Sequence, residues 1–168
     1  AHWMPDEPMI HILPHWNFPD RIGKVTPVFV YSSGDEVELF LNGRSLGKKS
    51  KQPYEYRFRW DSVYYESGEL KAIAYKDGKK WAEKHIRTTG KPERLKLTPD
   101  KKVLKSDGED LIFVRVSVLD AEGNEVPTAE PLITSSVSGP GMIAATDNGD
   151  PTCLIPFHEP KRPAFNGL

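Results

Sequence analysis

Residues 36–49 read EVELFLNGRSLGKK, and this stretch decides the fold class. Val37, Leu39 and Leu41 alternate with Glu36, Glu38 and Phe40, the period of two that turns one side of a strand to a core and the other to water. Asn42-Gly43 comes next, a dipeptide that accepts the positive φ angles of a two-residue hairpin turn. The stretch is therefore a β-hairpin, and its apolar face needs a covering layer.

Working outward, the same period recurs. YEYRFRW (54–60) places Tyr54, Tyr56, Phe58 and Trp60 on one face and Glu55, Arg57 and Arg59 on the other. ELKAIAY (69–75) and KKWAEKHIRTT (79–89) flank a turn at Asp77-Gly78. Prolines and glycines (15 and 13 residues) break the chain too often for long helices. About six strands are expected by residue 89, enough for a sandwich. TTGKPERL (88–95) then reads as a short linker. Beyond it lie RLKLTPD, LIFVRVSVLD with Ile112, Val114, Val116 and Val118 on one face, the turn DAEGNEVP, and shorter strand candidates in PLITSSVSG, MIAATD and TCLIPF. The expected architecture is all-β, two immunoglobulin-like β-sandwich domains in tandem. A segment over 1–24 precedes a first sandwich over 25–90. The second sandwich, over 91–168, is expected to be incomplete at its end, because AFNGL (164–168) arrives without a closing strand. The first segment is too proline-rich for a helix or a regular strand and too apolar for a free tail; it reads as a seam made to bury against a barrel, and is expected here to lie along the first sandwich or to be poorly ordered.

With 38% hydrophobic and 28% charged residues the chain can build a packed core. A net charge of −1 offers no electrostatic attraction to nucleic acid or an anionic membrane. No apolar run approaches the roughly 20 residues of a membrane helix, and no basic stretch leading into an apolar one marks a secretory leader. Cys153 stands alone, so no internal disulfide forms, and no Cys/His cluster has zinc spacing. No cofactor or metal is expected.

Five stretches invite a chemical reading. MIHILPHWNFPD (9–20) crowds His11, His15, Trp16, Asn17 and Asp20 together. His11 and His15 have helical metal spacing, but Pro14 between them opposes a helix, and no nucleophile or third ligand is placed beside them. Asn124-Glu125 has the order of an acid/base pair, yet it sits in a turn. Asp147, Asn148 and Asp150 surround Gly149 without the spacing or terminal glutamate of a calcium loop, and a tight turn accounts for all four. The aromatic stripe 54–60 reads as inward packing, with a sugar-stacking platform as its functional alternative. RSLGKKSK (44–51) is a solvated hairpin end with no interleaved aromatics. No catalytic residue is expected. His15, Trp16, Asn17, Asp147, Asn148 and Asp150 are the candidates for a substrate-proximal or interdomain role.

Several of these stretches together resemble one family. PMIHILPHWNFPDRIGKVTPVFVYSSGDEVELFLNGRSLGKK, GELKAIAYKDGKKWAEKHIRTTGKPERLKLTPD, and DNGDPT followed by FHEPKRPAFNGL are similar to the region where the catalytic barrel of β-galactosidase-like glycoside hydrolase family 2 enzymes passes into its carboxy-terminal β-sandwiches. The resemblance implies a retaining glycosidase as parent, with both catalytic glutamates in the barrel. This chain then acts as a non-catalytic accessory region, with that barrel as partner and contact with carbohydrate possible. It favours a periplasmic or extracellular bacterial setting. A stand-alone carbohydrate-binding module and an immunoglobulin-like surface adhesin fragment are the alternatives; LTPDKKVLKSDGEDLIFVRVSVLDAEGNEVP resembles the repeats of such adhesins.

Overall fold

The computed structural model describes residues 4–168, and the chain divides after Thr88 into two compact units. The described residues contain eleven strands and no α-helix, with one 3-10 turn at Pro19–Arg21. In the first unit the strands are β1 (Ile10–Leu13), β2 (Val28–Ser32), β3 (Glu36–Leu41), β4 (Arg44–Ser50), β5 (Phe58–Trp60), β6 (Glu69–Lys76) and β7 (Lys79–Arg87). They form a three-stranded sheet, β1-β2-β5, and a four-stranded sheet, β4-β3-β6-β7. Every pairing is antiparallel.

Alternation does what the sequence requires of it. Val28 and Val30 of β2 with Phe58 and Trp60 of β5 share a core with Val37, Leu39 and Leu41 of β3 and Leu70, Ala72 and Ala74 of β6. Each valine or leucine taken fully out of water contributes about 1.5–3 kcal/mol, so this core dominates the stability of the unit. Asn42 and Gly43 hold φ of 50° and 79° in the β3–β4 turn, and Asp77 and Gly78 hold 51° and 73° in the β6–β7 turn. These are the left-handed angles for which Asn-Gly and Asp-Gly are suited.

In the second unit β8 (Arg94–Pro99) pairs with β9 (Val114–Leu119), and β10 (Leu132–Thr134) with β11 (Lys161–Pro163). Its buried apolar cluster is small: Val118, Val126, Ala129 and Ala164, with Ile133 packed against them. The FNGL turn is drawn into this cluster. Val118 N–H donates to Gly167 O at 2.8 Å, and Gly167 N–H donates to Ala129 O at 3.0 Å. Gly167 has φ of +83°, and a Cβ there would lie 2.4 Å from Val126 O. No other residue fits.

Three expectations are corrected. Residues 10–13 do form a regular strand, β1, in register with β2 from Ile10 opposite Ser32 to Leu13 opposite Phe29. Residues 10–16 thus lie along the first sandwich, as expected of this segment, but as a paired strand with Ile12 and Trp16 buried in its core. The physical reason is long-range: Ser32 Oγ donates to Met9 O at 2.8 Å, and Ser33 Oγ donates to Glu7 O at 2.6 Å and accepts Met9 N–H at 3.0 Å. The stripe 54–60 is not one strand. Only Phe58–Trp60 pairs, while Tyr54 turns into the left-handed region at φ 65° and is 93% exposed. MIAATD and TCLIPF form no strands; the strand expected in PLITSSVSG forms over residues 132–134, and its partner is 161–163.

Candidate functional site

The HWN segment is built into the first unit. Trp16 is 1% exposed; its indole N–H donates to Glu66 O at 2.8 Å and its ring lies 4.8 Å from that of Tyr65. Its carbonyl accepts the Thr88 hydroxyl at 2.8 Å. The Tyr65 hydroxyl meets the Thr88 hydroxyl at 3.2 Å and accepts Phe18 N–H at 3.1 Å. His15 stacks on Phe18 at 4.4 Å, and its Nδ1 accepts Asn17 N–H at 3.3 Å. Partial burial lowers the His15 imidazole below its ordinary value, which keeps the accepting lone pair available. Asn17 is buried beside it. The polar groups of His15 and Trp16 are spent on fastening this stretch down.

Asp147, Asn148 and Asp150 lie in the second unit and organise their own turn. Asp147 Oδ1 accepts Asn148 N–H at 2.8 Å and Gly149 N–H at 3.3 Å. Asn148 Oδ1 accepts Asp150 N–H at 3.2 Å, and its amide donates to Pro163 O at 3.0 Å. Asp150 Oδ1 accepts both the amide and the hydroxyl of Thr152 at 2.8 Å. These are Asx turns, side chains standing in for backbone acceptors. Among the described residues no group of three or more His, Cys, Asp or Glu is placed to hold a metal ion.

Glu125 is tied to its neighbours, accepting from Arg115 at 3.2 Å and from Ser117 Oγ at 2.9 Å. The residue that sequence reasoning missed here is Asp120. It is 1% exposed, and its carboxylate accepts Gly90 N–H at 3.0 Å, Asn124 N–H at 2.8 Å and the Asn124 side-chain amide at 3.1 Å. Burial acts to raise this carboxyl, but the Gly90 amide and both Asn124 donors outweigh it and hold the group below the usual carboxylate range. A depressed folded pKa gives stability that is fully present above the unfolded value, about 3.9, and is lost as pH falls through the folded one. The melting temperature of the second unit is therefore expected to decline steeply below about pH 4, and Asp120→Asn to flatten that acid limb while lowering the neutral plateau. Thermal melts across that range read both effects. The signal was present as an aspartate four residues before Asn124 around Gly123, but only the fold reveals its third donor, Gly90.

A second buried group went unmarked. Arg162 is 5% exposed and donates to Thr146 Oγ1 at 3.2 Å, Cys153 Sγ at 3.0 Å, Ile155 O at 3.0 Å and Pro156 O at 2.9 Å. It shapes the loop that carries Asp147–Asp150.

Comparison with known proteins agrees with the all-β architecture. Residues 95–168 match the profile of glycoside hydrolase family 2 C-terminal domain 5, and residues 23–82 match a domain of unknown function, DUF4982. Over 163 residues the chain is 44% identical to the beta-galactosidase BoGH2A of Bacteroides ovatus, covering 96% of this chain. The chain belongs to the carboxy-terminal region of glycoside hydrolase family 2. A beta-glycosidase from Bacteroides vulgatus superposes on this family 2 region with a TM-score of 0.91 over 96% of the chain, at 34% identity. A beta-glucuronidase of Formosa agariphila is 34% identical over 144 residues, 84% of the chain. The region spans 19% of the length of the Bacteroides ovatus enzyme, 14% of the Formosa enzyme and 21% of the Bacteroides vulgatus one.

Proposed function

We propose that this region is a non-catalytic accessory β-sandwich of a β-galactosidase-like glycoside hydrolase acting in carbohydrate degradation, with the catalytic barrel of that enzyme as its partner. The observation that carries the reading is the employment of its acidic groups. Retaining hydrolysis needs two carboxyls about 5–5.5 Å apart across a bound sugar. Glu125, Asp147 and Asp150 instead spend their oxygens on their own strands and turns. The relatives' names and the short span of each that this region matches support a supporting role within a longer enzyme. Such a partner is supported by the exposure of Ile22, Val25 and Tyr64, of which Val25 and Tyr64 are held side by side by an isolated antiparallel bridge.

The 168-residue chain is expected to release no aglycone from aryl β-galactosides or aryl β-glucuronides above the uncatalysed blank. Hydrolysis that Glu125→Gln abolishes would overturn the proposal.

A further inference from the structure

β8 has a single partner strand. It pairs with β9 in a two-stranded sheet, Leu95 opposite Val118 and Leu97 opposite Val116. Val118 turns its backbone away from β8: its N–H donates to Gly167 O at 2.8 Å and its carbonyl accepts Val126 N–H at 2.9 Å. Ladder bonds alternate along an antiparallel pair, so Leu95 and Leu97 point their N–H and C=O groups out from the free edge of β8. Among the described residues no group bonds to them. The side chains of Leu95 and Leu97 share the face that carries Val118 into the core, yet they are 47% and 65% exposed. An open edge beside an uncovered apolar face is a template for another strand.

We propose that this edge pairs with itself, β8 against β8 of a second copy of the chain, in an antiparallel two-fold dimer centred on Leu97. Charge selects the partner and the register. Centred on Leu97, Arg94 of each copy faces Asp100 of the other, and Lys96 faces Thr98. Centred one residue earlier, Lys96 would face Lys96, and like charges directly opposite are destabilising. Asp100 is fixed at the strand end, its N–H on Phe113 O at 2.9 Å and its Oδ1 on Phe113 N–H at 3.0 Å, which leaves Oδ2 for the incoming guanidinium. Arg94 gives one donor to Ala121 O at 3.1 Å and carries others in its fork. Across the two-fold axis Leu97 N–H donates to Leu97 O in both directions, and Leu95 N–H donates to Pro99 O. Pro99 has no N–H to return, so the pairing ends there. A patch that meets its own copy about a two-fold axis closes on two chains. The product is one four-stranded sheet, β9-β8-β8-β9, with Leu95, Leu97, Val114 and Val116 of each copy on one face. The inference does not rest on the accessory role.

The test is sedimentation velocity of the 168-residue chain from about 1 μM to about 1 mM, with amide hydrogen exchange followed at Leu95 and Leu97. A single strand pair is a small interface, so a monomer–dimer equilibrium with Kd of about 10–100 μM is expected, with both amides exchanging more slowly as the dimer fills. Leu97→Pro removes an outward N–H and spares the ladder to β9; it is expected to raise Kd at least about tenfold, which is about 1.4 kcal/mol. Arg94→Asp alone is expected to do the same, and Arg94→Asp combined with Asp100→Arg to return Kd to within about threefold of its original value. Thermal melts of each variant show that folding is intact. A monomer at every concentration, growth beyond two copies, a dimer that Leu97→Pro leaves unchanged, or a double variant no better than Arg94→Asp would each overturn the proposal.

Discussion

Trp16→Ala is expected to destabilise the first unit by about 3–5 kcal/mol, the range for deleting a large buried aromatic side chain. Two losses add. A cavity opens against Tyr65, whose ring lies 4.8 Å from that of Trp16. Glu66 O also loses the indole N–H that reaches it at 2.8 Å, and an acceptor stripped of its donor costs about 1–3 kcal/mol where water cannot replace the partner. Urea unfolding followed at β2 and β3 measures the shift in midpoint. Trp16→Phe separates the terms, since it keeps most of the ring and removes only the donor. A midpoint unchanged by Trp16→Ala would mean that residues 10–18 are not part of the sandwich core.

Arg162→Ala is expected to cost the second unit about 3 kcal/mol. The guanidinium reaches the carbonyls of Ile155 and Pro156, Thr146 Oγ1 and Cys153 Sγ from one buried position. A hydrogen bond from a charged donor contributes about 1.5–3 kcal/mol, and removing the arginine leaves two carbonyls unanswered. Lysine has three donors on a flexible stem and no planar fork, so Arg162→Lys is expected to recover only a minor part. The check is amide exchange across 146–156, which should accelerate in both variants while exchange in β2, β3 and β6 stays as it was.

What the sequence made legible is local. The Asn42-Gly43 and Asp77-Gly78 turns and the alternation of β3 and β6 depend on neighbours within a few residues, and all four stand as read. What escaped is set by distant partners. β1 carries one fully buried side chain, Ile12, so no alternation announced it, and its tethers come from Ser32 and Ser33. The 54–60 stripe has a perfect period of two, yet Tyr54 leaves the strand conformation and only three residues find a partner strand. In the second unit β11 is KRP, charged and proline-bearing like a loop. Leu154, read as part of a strand, is 94% exposed on the loop that Arg162 gathers. Of the candidate residues, Trp16 and Asn148 could be recognised as busy. The sequence held no sign that their partners would be Glu66 O and Pro163 O.

The bonds that close the small core of the second unit also set a timetable. β9 cannot satisfy Val118 N–H until Gly167 O reaches it, 49 residues later in the chain, whereas β3 meets β4 across a two-residue turn. Closing a long loop carries entropy that must be spent before the contact returns anything. As the polypeptide leaves the ribosome, the first unit can finish its hairpins while the second still waits with Val118, Val126 and Ala129 uncovered. That waiting interval is when a chaperone has most to offer this protein.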